Sequence, residues 1–171
     1  MSSESNHSSA RISLYQIVIG IQEQQMRVVR LSDGVICSTY TISTALNGTG
    51  CTEGSGQTPL GSFCIRECIG EGLPAGTLFQ SRRPVGIWPD ALPDSVNEDA
   101  DMILGRILWL DGLDADNANT HSRYIYIHGT NHISLLGTPA SHGCVRMHPD
   151  DIVQLFSLVT SGTSVSILDH F

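Results

Sequence analysis

Apolar and polar residues alternate from the start of the folded region: Ile12 and Leu14, then Ile17, Ile19 and Ile21, and, past the polar residues 22–25, a second apolar run over 26–31. Period-two alternation marks a strand with one buried face, so two strands joined as a hairpin are predicted. Residues 35–42 form a third β-rich run and 61–69 a fourth, while 103–110 and 123–128 alternate as two more around a polar turn at 111–122. In the last run Tyr124, Tyr126 and His128 fall on one face and Ile125 and Ile127 on the other, so His128 leaves the strand on the polar-tipped face. Two stretches break the pattern. Residues 44–61 carry Asn47-Gly48 and further glycines, and residues 70–101 carry Pro74, Pro84, Pro89 and Pro93. Loops this long in a compact domain are usually functional or disordered, so at least one of these two and the turn 111–122, with 70–101 favoured, is expected to border a cleft as a lid.

Near the C-terminus the period changes. Pro149, Asp150 and Asp151 have the character of a first helical turn, and Ile152, Leu155, Phe156 and Val159 recur at helical spacing. One helix over about 150–160 is predicted, ended by Gly162 and followed by a closing strand over 163–169. The class is mainly β, in one domain over residues 11–171 after a polar, Ser-rich tail at 1–10 that reads as disordered.

Composition narrows the partners. With 9 Lys+Arg against 17 Asp+Glu the net charge is −8, and no basic cluster is present, which excludes nucleic acid as an expected partner. Gln16 interrupts the apolar run 12–21, and Gln22-Glu23-Gln24-Gln25 stands where a signal peptide would have its small-residue cleavage site. No run approaches the ~18 apolar residues of a membrane span. A soluble, unexported chain is the expectation.

The candidate chemistry lies between His128 and Met147. Cys144 follows His128 by sixteen residues, inside Ser141-His142-Gly143-Cys144-Val145-Arg146. A thiol needs a base to become a nucleophile, and histidine is the usual one. Gly143 permits a tight turn whose amides point at a developing oxyanion. His128 needs an acceptor on its other ring nitrogen, and with no acid in the motif the Gly129 carbonyl is expected to serve. Arg146 is suited to a substrate carboxylate. A base and turn of this kind predict a depressed Cys144 pKa and labelling of Cys144 by iodoacetamide at about pH 6 ahead of the other four cysteines. Zinc on His128, His132, His142, Cys144 and His148 is the alternative, disfavoured because CxxC and HExxH spacings are missing. No cofactor or metal is expected. Cys37, Cys51, Cys64 and Cys68 read as reduced thiols, His121, His132 and His148 as surface or turn residues, and Tyr124 and Tyr126 as sheet packing.

These residues resemble a known family, the L,D-transpeptidase catalytic domains, or YkuD domains. Its members carry His-Gly, a spacer, then Ser/Thr-His-Gly-Cys, a hydrophobic residue and Arg or Asn. His128-Gly129 and Ser141-His142-Gly143-Cys144-Val145-Arg146 match, and Thr58-Pro59-Leu60-Gly61-Ser62-Phe63 is similar to the family's Thr-Pro-x-Gly-x-Phe. The resemblance implies a β-sandwich-like fold of mixed or mainly antiparallel strands. It implies attack by Cys144 on a peptidoglycan stem peptide after its third residue, release of the terminal D-amino acid, and transfer of the acyl group to an amine. By position His128 is the base and Gly129 its backbone partner, while Ser141, His142, Gly143 and Arg146 are the surrounding binding and oxyanion residues. It further implies acylation by a carbapenem and a location in the cell envelope, at odds with the expectation of an unexported chain. Two other readings share the motif: a hydrolase of the carboxypeptidase kind that uses water as acceptor, and a non-catalytic sandwich that binds wall fragments.

Overall fold

The computed structural model describes residues 12–171; the tail read at 1–10 lies outside the described residues. Ten strands and one helix follow in the order β1 Tyr15–Gly20, β2 Gln25–Arg30, β3 Ile36–Ser43, β4 Gly61–Ile69, β5 Thr77–Gln80, β6 Arg83–Ile87, β7 Ile103–Gly112, β8 Tyr126–Gly129, β9 Val145–Met147, α1 Pro149–Leu158 and β10 Ser164–Leu168. They form one sheet in the order β4-β10-β1-β2-β3-β9-β8-β7-β5-β6, and an added β4–β7 pairing closes the first eight into a ring. A closed ring leaves few open edges, and only the β5–β6 hairpin projects from it. The fold class is thus mainly β, with a sandwich-like barrel and a single α-helix.

Alternation sets which side chains fill the ring. Ile17 and Ile19 of β1 sit opposite Val28 and Met26 of β2, and all four are fully buried with Leu108, Leu110, Ile127, Val145 and Met147. Removing each such side chain from water is worth about 1.5–3 kcal/mol. α1 packs Ile152 and Leu155 into the same core. Its start is fixed by Pro149 and by His148, whose Nδ1 accepts from the Asp150 amide at 3.2 Å. Asp150 and Asp151 lie in the first turn, where the helix dipole favours anions.

Two expectations need correction. Residues 70–101 are not wholly irregular: they contain the β5–β6 hairpin, with Leu78 and Phe79 each 3% exposed. The strands are too short to show a period, Pro84 is tolerated because β6 is an edge strand, and the turn residues Ser81 and Arg82 take left-handed conformations without glycine. The run 123–128 is not one strand either. Tyr124 has φ +58° and is 53% exposed, and β8 begins only at Tyr126. Tyr126 and His128 therefore share a strand face, and Tyr124 does not join them.

Candidate active site

β8 and β9 run parallel, with Ile127 opposite Val145 and His128 opposite Arg146. That register sets Cys144, one residue before β9, level with Tyr126, on the face that Tyr126 and His128 share. Cys144 and His128 are therefore diagonal neighbours across two strands, and both line one cleft of about 350 Å³ with Asp101, Ile103, Ser141 and His142. Asp101 ends the segment 70–101, so that segment does border the cleft.

The turn that carries Cys144 is pinned from several directions. The Ser141 hydroxyl donates to the Cys144 carbonyl at 2.6 Å and accepts from the Gly143 amide at 3.2 Å. The Thr58 hydroxyl donates to the Gly143 carbonyl at 2.8 Å and accepts from the Ala45 amide at 3.0 Å. The Thr44 carbonyl accepts from the amides of Ala140 and Ser141, both at 2.8 Å. Thr44 is itself held by the buried Gln24, whose Oε1 accepts from the Thr44 amide at 2.9 Å and whose Nε2 donates to its hydroxyl at 2.7 Å. Gly143 takes φ +129°, where L side chains are rare. Ser141 and the Gly143 amide are thus spent on the turn, and neither is free toward the cleft in this conformation.

His128 is 3% exposed and its Nδ1 lies 2.7 Å from the Gly129 carbonyl. A carbonyl only accepts, so Nδ1 carries the proton and Nε2 is the basic nitrogen. Burial lowers the His128 pKa, against the opposing pull of the Gly129 carbonyl and Asp101, so the imidazole stays neutral. Gly129 must remain a glycine: a Cβ there would stand 2.6 Å from the Leu104 carbonyl oxygen and 3.0 Å from the Pro149 Cα. Gly129→Ala is expected to cost about 2 kcal/mol or more, because backbone atoms cannot step aside. Thermal unfolding will read it as a lowered Tm.

Cys144 is only partly enclosed and packs against Phe79, Ile107, Trp109 and Tyr126. Its thiol donates to the Tyr124 carbonyl at 3.4 Å, and its sulfur accepts from the Tyr126 amide at 3.4 Å. The expected depression of its pKa is overturned. Desolvation pushes the thiol up to about 11; the Tyr126 amide, Arg146 and Arg123 lower it less than burial and Asp101 raise it. At rest the pair is a neutral thiol beside a neutral imidazole.

Arg146 also departs from expectation. Its guanidinium is 1% exposed, paired with Asp101 at 2.9 Å and donating to the Ser43 hydroxyl at 3.2 Å, with His132 Nδ1 3.4 Å away. A buried cation requires a counter-charge, and Asp101 fills that place instead of a ligand. Asp101 also accepts from the Thr130 hydroxyl at 3.1 Å, and His142, 90% exposed, stands 4.0 Å from it. Asp101 and Thr130 carried no signal in the sequence, since their use depends on chain segments about 30 residues apart meeting. Thr58 stood in the similar Thr-Pro-x-Gly stretch. Among the described residues no three His, Cys, Asp or Glu side chains gather as metal ligands, and no helix is long and apolar enough to cross a membrane.

The model of the family described as the L,D-transpeptidase catalytic domain, YkuD, matches residues 14–167. YqjB of Bacillus subtilis is 44% identical over 54 residues, 32% of this chain and 31% of that protein. YkuD of Bacillus licheniformis is 54% identical over 41 residues, 24% of this chain and 25% of that protein. Both bear the name L,D-transpeptidase, and the matched segments span about a quarter to a third of their length. An L,D-transpeptidase structure from Xylanimonas cellulosilytica shares the fold, with TM-score 0.58 and 18% identity over 94% of this chain and 62% of that one. So does L,D-transpeptidase 3 from Mycobacterium tuberculosis in complex with a faropenem-derived adduct, with TM-score 0.55 and 18% identity over 90% of this chain and 60% of that one.

Proposed function

Because the chain belongs to the family of L,D-transpeptidase catalytic domains, we propose that it is a cysteine-dependent L,D-transpeptidase of peptidoglycan stem peptides. The observation that carries this reading is the single cleft lined by both Cys144 and a buried, neutral His128 whose Nδ1 is held by the Gly129 carbonyl.

The steps follow from those positions. A stem tetrapeptide enters with the carbonyl of its third residue over Cys144. The thiol leaves the Tyr124 carbonyl and passes its proton to His128 Nε2, and the sulfur attacks the carbonyl carbon. Backbone amides of the turn at 142–144 stabilise the oxyanion, Gly143 by releasing Ser141. Collapse breaks the peptide bond, His128 returns the proton to the departing amine, and a thioester remains on Cys144. An acceptor amine then loses a proton to His128, attacks the thioester and regenerates the thiol. Ser141 supports the turn, Arg146 and Asp101 form a charge-balanced floor, and His142 stands at the mouth.

Proton transfer within a neutral pair has a distinct pH signature. Activity requires unprotonated His128 and is lost as pH falls through its pKa, which burial sets below the ordinary 6.5. No thiolate step appears near pH 8.5, because Cys144 ionises only toward about 11. The expected kcat/KM profile is a broad plateau with its acid limb below pH 6.5. Iodoacetamide, which reacts with thiolates, should label exposed Cys37 before Cys144 near neutral pH. A kcat/KM that climbs tenfold between pH 7.5 and 9 would contradict this.

The function is tested by incubating the protein with a tetrapeptide stem, with and without an amine acceptor, and weighing the products. Transpeptidation gives free terminal D-amino acid and a tripeptide–acceptor conjugate. Tripeptide acid as the sole product, even with acceptor present, identifies the hydrolase instead, and unchanged tetrapeptide leaves the binding module.

A further inference from the structure

Away from the cleft, a groove of about 980 Å³ runs between α1 and residues 12–15, and it shares no lining residue with the Cys144 site. At its floor is Arg106, placed there by a bulge in β7: Leu104 pairs with Gly129 and Ile107 with His128, so Gly105 and Arg106 are squeezed out of register. Gly105 takes φ +78°, and Arg106 is 6% exposed. We propose that this groove binds a monocarboxylate with an apolar body, its carboxylate held by the Arg106 guanidinium.

The bulge leaves Arg106 a buried cation with no counter-ion among the described residues. One nitrogen, Nη1, donates to the Gly105 carbonyl at 2.7 Å, while the buried Nε has no acceptor. Among the described residues no carboxylate forms an ion pair with it. Glu71, exposed at the groove's rim, reaches it only through its field. A largely buried charge without a carboxylate partner is unfavourable, so an arriving anion gains what the protein itself does not supply. A guanidinium takes a carboxylate through charge-assisted hydrogen bonds, and the Arg106 head lines this groove.

The walls decide the rest of the ligand. The guanidinium lies 5.3 Å from the ring centre of Phe156, and Val153, Leu158 and Val159 of α1 and its end face the exposed Ile12 and Leu14 across the groove. An apolar chain extending from the carboxylate covers that surface, whereas a small inorganic anion leaves it wet. The volume suits a ligand of about drug size. Glu71 at the rim repels the same carboxylate, so its removal strengthens binding.

Calorimetric titration of the full chain with decanoate tests this, with acetate and decanol as the head alone and the tail alone. Decanoate is expected to bind one site, acetate and decanol each about tenfold or more weakly than it. Arg106→Met is expected to weaken decanoate by about tenfold or more, Arg106→Lys by less, and Glu71→Gln to tighten it severalfold. Amide shifts from 153 to 161 locate the site. Arg106→Met is expected to keep or raise Tm, since an apolar isostere replaces an unpaired buried charge. No saturable binding, decanol binding as well as decanoate, or unchanged decanoate affinity in Arg106→Met or Glu71→Gln overturns the proposal. The comparison of decanoate with decanol needs no variant, so it decides even where a substitution prevents folding. None of these results bears on the Cys144 cleft, which is assayed separately.

Discussion

Cys144→Ala is expected to lower turnover by about a thousandfold or more, since Cys144 is the one thiol among the residues that line the cleft and carries the covalent step. Its sulfur touches the backbone at Tyr124 and Tyr126, and the alanine methyl keeps Cβ in place, so the fold should survive with a loss of about 1 kcal/mol. Circular dichroism and Tm check the fold, and the stem-peptide assay checks the rate. Cys37→Ser, Cys51→Ser and Cys68→Ser should each retain most activity, because none of the three lines the cleft. An active Cys144→Ala protein excludes covalent catalysis here.

The second large effect is expected at Asp101. Arg146 is almost wholly buried, and Asp101 is its carboxylate partner at 2.9 Å. Asp101→Ala strands that charge and also removes the acceptor of the Thr130 hydroxyl. Breaking a buried pair from one side typically costs about 3–5 kcal/mol, and the 24% exposure of Asp101 places the loss toward the lower end. A fall in Tm and in denaturation midpoint measures it. Adding Arg146→Met to Asp101→Ala should recover much of the loss, because no charge is then left stranded. A single variant as stable as wild type means that water or another group already serves Arg146.

How far the sequence reveals this molecule depends on the range of the interactions involved. Ile17, Ile19, Met26 and Val28 announce their strands by alternation, and Pro149 through Leu155 announce the helix, because each pattern is local and one face is wholly buried. The motif likewise puts His128, Gly129 and Cys144 on view. The β5–β6 hairpin has strands of four and five residues, too short for a period to emerge, and a turn built without glycine. Tyr124 keeps the alternation of a strand but turns left-handed, with its carbonyl facing the Cys144 thiol. The charge of Arg146 is visible in sequence, but its burial against Asp101 is not, and so a residue suited to a ligand carboxylate proves already paired. The raised thiol pKa has the same origin: desolvation comes from packing by Phe79, Ile107 and Trp109, which lie far from Cys144 along the chain.

Intact-mass analysis of the protein mixed with a stem tetrapeptide, without acceptor and quenched in acid, addresses the proposed chemistry at its covalent step. The predicted result is an added mass equal to the tetrapeptide minus the free D-amino acid it releases, mapped to Cys144, absent in Cys144→Ala and discharged on adding an amine. An adduct on another cysteine, or one that retains the terminal D-residue, would contradict it.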